Sequence, residues 1–123
     1  MHSNASIQIS KHDGVTVVTL GREYENLDED NVSKLTDTLL TVAQKAEPSL
    51  VVLDLSSTTF FGTCFLGTVF RVWKRLRGRE GGRLALCELT PHCEEVLRVT
   101  HLDGLWDVFA SQEEALSALS VKP

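Results

Sequence analysis

Leu50-Val51-Val52-Leu53-Asp54-Leu55 is apolar at every position but one. A strand with one face in water alternates apolar and polar residues. A run without alternation reads as a strand covered on both faces, which implies a sheet with parallel pairing. Working outward, Ser56 to Gly62 is a loop. A helix follows it, with Leu66, Val69, Phe70, Trp73 and Leu76 expected on one buried face. Gly78, Gly81 and Gly82 end that helix, and Arg83 to Leu89 reads as the next strand. On the other side, Val32, Leu35, Leu39 and Val42 recur at helical spacing, and Pro48 closes the segment.

The flanks complete the pattern. Ile7 and Ile9 alternate with Ser6, Gln8 and Ser10 as a short half-buried strand, and Asp13-Gly14 is a strong hairpin signal. Val15, Val17 and Val18 lead to Leu20 in a second strand. Gly21 to Asp30 reads as a polar loop, with Asp28, Glu29 and Asp30 where a helix N-terminus favours acids. Thr90-Pro91 starts a third helix, expected to bury Val96, Leu97 and Val99. Leu105 to Phe109 is a short terminal strand. Ser111 with Glu114 forms a capping box for a last helix carrying Ala115, Leu116 and Leu119. The order β-β-α-β-α-β-α-β-α is an opening hairpin followed by alternating units. It predicts an α/β fold with a mixed sheet of four to five strands and about four helices, one domain over residues 5–120 with loose ends.

Composition narrows the function classes. The 123 residues suit a single core. Seventeen acidic against twelve basic side chains give a formal charge of -5, which repels phosphate backbones and argues against general nucleic-acid binding. No apolar run is long enough to span a bilayer, and Met1 to Ser10 has neither the basic nor the apolar part of a signal peptide. Cys64, Cys87 and Cys93 are an odd set without a C-x-x-C pair, the usage of a reduced, cytoplasmic protein. No cofactor is expected.

Three stretches together resemble the STAS domain, the fold of bacterial anti-sigma factor antagonists. They are Leu20-Gly21 with the acidic loop and Leu27-Asp28 to Leu35; Val51 to Ser56 with Phe60-Phe61-Gly62-Thr63-Cys64-Phe65-Leu66-Gly67; and Leu84 to Cys87, Thr90-Pro91, Val96-Leu97, His101-Leu102-Asp103, Phe109 and Glu113 to Leu116. In that family a strand ends D-L-S, and D-S-S-G-L-G opens the next helix. A kinase phosphorylates a serine of this motif, and that serine falls at Thr63. The resemblance implies that Ser56, Ser57, Thr58, Thr59, Phe61, Gly62, Thr63 and Cys64 meet a partner. That partner would be an anti-sigma factor of the histidine-kinase-like ATPase fold, with a phosphatase restoring the complex. The motif departs from the pattern at Gly62, where the family has Asp, at Cys64, where it has Ser, and at Phe65, where it has Gly.

Other readings of the same residues stay open. Thr63 is either a switch or merely the cap of its helix. Phe60, Phe61 and Phe65 form either core or an apolar docking patch. A STAS adaptor subunit of a membrane transporter or other assembly, with no phosphorylation, is the alternative function. Cys64 as a thiol nucleophile lacks the C-x5-R spacing of a phosphate cradle, since position 70 is Phe, and is expected to be buried and inert. His92 is expected to be exposed, and Cys87, His92, Cys93 and His101 match no common zinc spacing. Gly62 to Arg83 carries six bases and one acid, a local +5, while Gly21 to Asp37 carries -4. These are either solvated helix faces or complementary patches that steer a partner.

Overall fold

The computed structural model describes residues 7–102 and 104–120, and of residues 29–31 the backbone alone. The turn at Asp13-Gly14 has positive φ at both residues, 52° and 85°, the pattern of a type I′ turn. It lays β1 (Ile7–His12) antiparallel to β2 (Val15–Leu20), with His12 opposite Val15 and Ile7 opposite Leu20. A 3₁₀ turn at Arg22–Tyr24 leads to β3 (Asn26–Leu27) and α1 (Glu29–Lys45). Then come β4 (Leu50–Asp54), β5 (Phe60–Phe61), α2 (Thr63–Arg77), β6 (Arg83–Cys87), α3 (Pro91–Val99), β7 (Asp107–Phe109) and α4 (Gln112–Leu119). The main sheet runs β1-β2-β4-β6-β7 and is parallel except at the hairpin. This is the expected mixed α/β sheet of five strands with four helices.

Every residue of β4 is buried, which explains its unbroken apolar run. Leu53 and Val51 point into the larger core with Val18, Leu35, Leu39, Phe65, Val69 and Leu97, so α1, α2 and α3 cover one face. Val52 and Leu50 point the other way and pack with Val15, Val17, Ala85, Ala115 and Leu119 under α4. Both helix starts foreseen from sequence carry their caps. Thr90 Oγ1 accepts from Cys93 N at 3.3 Å, and Ser111 Oγ accepts from Glu114 N at 3.2 Å. The return bond of the box goes one residue earlier than expected, from Ala110 N to Glu114 Oε1 at 3.2 Å.

Several expectations are corrected. The segment expected as a polar loop holds β3, which pairs parallel with β5 as a separate small sheet. The buried face of α2 is Phe65, Leu66, Thr68, Val69, Val72 and Leu76, with Trp73 half-buried and Phe70 39% exposed. The face is turned because α2 leans on α1 as well as on the sheet, and Thr68 Oγ1 lies 2.8 Å from Thr36 Oγ1. Ile9 is 52% exposed on an edge strand, and Val99, 58% exposed, lies at the end of α3. Ser6, the chain ends expected to be loose and Asp103 lie outside the described residues, as do the side chains of Glu29 and Asp30.

Candidate functional site

The loop from Leu55 to Gly62 joins β4 to α2, and its shape is set from two sides. Asp54 is buried at the end of β4. Its Oδ1 accepts from Ser56 N at 2.9 Å, which turns the chain out of the sheet, and its Oδ2 accepts from Gln112 Nε2 at 2.6 Å. From the opposite side the β3 segment clamps the loop. Thr59 N donates to Glu25 O at 2.8 Å, and Gly62 N to Leu27 O at 3.3 Å. Thr58, fully buried, donates its hydroxyl to Tyr24 O at 2.9 Å.

The residues expected to meet a partner therefore divide. Ser56, Thr59, Thr63 and Cys64 are exposed, and Ser57 and Gly62 are half-buried. Thr58 and Phe61 point inward and hold the loop rather than present a surface. The three phenylalanines divide too. Phe61 and Phe65 pack in the core with ring centroids 5.3 Å apart, whereas Phe60 is 42% exposed and stacks on His92 at 5.5 Å. The Phe60–His92 pair extends the outward surface onto α3. The sequence signal for it was only an apolar residue beside a loop, and the His lies on another element.

Thr63 is not the cap of α2. Gly62 occupies that position in extended backbone (φ -103°, ψ -171°) and brings no side-chain hydrogen bond; the first turn carries no acid. The first backbone N–H groups of α2 and the positive end of its dipole thus have neither a capping side chain nor a nearby carboxylate from that turn. Thr63 is the first helical residue, its side chain is exposed, and this end of α2 is suited to an added anion.

Cys64 is exposed, against the expectation of burial. Residues 65–70 behind it are regular helix, so no loop circles the thiol. Cys87 and Cys93 are both buried. Burial, with Asp54 and Glu88 nearby, pushes the Cys87 thiol up to about 12. Burial also raises Cys93, against hydrogen bonds from the Thr90 hydroxyl and the Phe61 backbone that lower it. Iodoacetamide at pH 8 is therefore expected to label Cys64 alone in the folded chain and all three after denaturation, read by peptide mass spectrometry. Equal native labelling of the three would contradict this packing. A second expectation concerns the clamp. Thr58→Val keeps the shape but leaves Tyr24 O without its donor. It should cost about 1–3 kcal/mol in denaturant unfolding, and a neutral result would show that water reaches that carbonyl.

Comparison with known proteins agrees with this architecture. The family profile described as STAS domain matches residues 6–115. The anti-sigma F factor antagonist of Paenibacillus polymyxa is 26% identical over 96% of this chain and 97% of its own. BtrV of Bordetella bronchiseptica, a candidate anti-sigma factor antagonist, is 31% identical over 91% of this chain and 92% of its own. The solved structure of an anti-sigma-factor antagonist (STAS) domain protein from Planctomyces limnophilus superposes with a TM-score of 0.86 at 36% identity, covering 95% of this chain and 99% of that one. The order of elements, the clamped loop before α2 and a profile match over most of the residues lead to one assignment: the chain belongs to the STAS domain family.

Proposed function

We propose that the protein is an anti-sigma factor antagonist. It binds an anti-sigma factor of the histidine-kinase-like ATPase fold through the β4–α2 loop and the first turn of α2, and phosphorylation of Thr63 releases it. The observation that carries the reading is the exposed Thr63 hydroxyl at a helix start that has neither a side-chain cap nor an acid. Ser56, Ser57, Thr59 and Gly62 of the preceding loop and Cys64 beside it are exposed or half-buried, and the relatives named as antagonists support the partner class. A phosphoryl group there adds roughly -1.5 to -2 charge. The helix end tolerates that charge, so the fold persists. A partner surface fitted to a neutral hydroxyl does not tolerate it, because the dianion must be desolvated without a counter-charge. The chain itself does no phosphoryl chemistry in this account. The partner brings ATP, and a phosphatase resets the switch.

Gly62 in the place of the family's acid favours a second reading, a STAS adaptor of a transporter or another assembly that is never phosphorylated. A pull-down from lysate of the source cells separates the two, followed by reconstitution with the purified protein recovered. The antagonist reading expects an ATPase-fold protein, release on adding ATP, and one phosphoryl group on Thr63. A transporter complex indifferent to ATP supports the adaptor. An active partner that binds but leaves Thr63 unmodified removes the switch.

A further inference from the structure

Thr63, Gly67, Phe70, Lys74 and Arg77 are spaced i, i+4, i+7, i+11 and i+14 along α2, and all five are exposed. At 3.6 residues per turn this spacing makes one continuous stripe, roughly 21 Å long. Arg71 and Arg75 flank it, and both are exposed.

The stripe is cationic on a chain of net charge -5. Arg79 and Arg83, just beyond it, are paired with Glu47 at 2.9 Å and Asp107 at 2.6 Å. Among the described residues no carboxylate lies within ion-pair distance of Arg71, Lys74, Arg75 or Arg77. Two of these cations are held over rings: Lys74 Nζ lies 5.8 Å from the Phe70 centroid and the Arg77 guanidinium 5.1 Å from that of Trp73. Phe70 and Trp73 are themselves 5.5 Å apart. Apolar area and ordered positive charge thus share one strip of helix.

Gly67 is the second observation. Glycine is, after proline, the residue that least favours a helix interior. Nothing inside the fold requires it here. Its backbone is helical, and beyond its chain neighbours and the backbone of its own helix turns a Cβ built on it meets no atom within 4 Å. A glycine that costs helix stability, opens no left-handed turn and relieves no internal clash leaves space on the outside, where another backbone can approach closely.

We propose that this stripe docks an acidic helix of a partner protein, which crosses α2 at the Gly67 notch, sets an apolar side chain on Phe70 and directs carboxylates to Arg71, Lys74 and Arg77. The proposal rests on the antagonist reading for the partner's identity, the helix belonging to the same anti-sigma factor that meets Thr63. It goes beyond that reading by extending the interface along the length of α2 and fixing the sign of the partner's charge. Charge complementarity and continuity with Thr63 favour a protein: a single acidic helix meets only the cationic stripe, whereas the extended anionic surfaces of nucleic acid and lipid would also meet the acidic remainder of the chain.

The test uses the purified ATPase-fold partner of the reconstitution above and the full chain in four forms: unmodified, Thr63→Glu, Gly67→Ala, and Lys74→Glu with Arg77→Glu. Gly67→Ala is expected to raise Tm by about 2–5 °C while weakening binding about tenfold or more, a combination that misfolding does not produce. The charge reversal is expected to slow association about tenfold at low salt and to flatten its salt dependence. If both variants bind like the unmodified chain while Thr63→Glu does not, the stripe is wrong and the antagonist reading survives. If the unmodified chain does not bind the ATPase, both fall together. If the charge reversal leaves the partner's affinity intact but abolishes binding to phosphatidylserine–phosphatidylcholine vesicles, the face is a membrane surface and the proposal is overturned.

Discussion

Phe65→Ala is expected to lower stability by about 3–5 kcal/mol, close to the largest cost a single core truncation produces. Phe65 has no exposed surface, and its ring packs 5.3 Å from that of Phe61. It lies in the first turn of α2, in the core that the sheet shares with α1 and α3. Removing the ring leaves a void beside Phe61, which lies on the β5 segment that is itself tied to β3. Domains of this size have about 5–15 kcal/mol in total, so Tm should fall by roughly 10–20 °C. Phe60→Ala is the internal control, since a ring 42% exposed and stacked on the exposed His92 should cost about 1 kcal/mol or less. Similar losses for the two would mean that Phe65 is not a core residue. The comparison also decides which of three adjacent aromatic rings builds the loop and which remains for a partner.

That division shows where sequence reasoning reached and where it stopped. The β4 strand was legible because burial on both faces removes polar residues from every position of a five-residue run. The hairpin was legible because positive φ at two consecutive residues excludes almost everything but Asp-Gly and its like. Thr90-Pro91 and Ser111 with Glu114 were legible because orphan N–H groups select short oxygen-bearing side chains. The β3–β5 pairing was not, since two-residue strands carry no period and their partners lie 34 residues apart (Asn26 with Phe60). The turned face of α2 was hidden for a related reason. Thr68 counts as polar in any pattern, yet it is buried because a second hydroxyl on α1 meets it. An apolar residue such as Ile9 or Val99 announces a preference for burial but not whether a neighbour covers it. Within the candidate site, the hydroxyl at position 63 and the acid at position 54 could be read directly. The inward turn of Thr58 and the joining of Phe60 to His92 depend on contacts between distant segments.

Thr63→Glu is expected to weaken binding of the ATPase-fold partner at least about a hundredfold, near 3 kcal/mol, while leaving Tm within a few degrees of the unmodified chain. The two halves of the expectation have different physical sources. Stability is spared because position 63 is exposed and lies at the first residue of a helix with no acid in its first turn, where a carboxylate meets the positive end of the dipole. Binding suffers because the same carboxylate must shed water inside an interface shaped for a hydroxyl, next to Gly62 and Cys64, which offer no counter-charge. Thr63→Ser should bind as the unmodified chain does and remain a phosphoryl acceptor. Thr63→Val keeps the shape, loses the hydroxyl, and should bind within about tenfold but resist release by ATP. Isothermal titration with and without ATP, alongside thermal unfolding, reads all three variants. A Glu variant that binds normally would show that charge at this helix start does not govern docking. A Val variant still released by ATP would place the modified oxygen on another residue, with Ser56, Ser57 and Thr59 in the same loop the first to be examined.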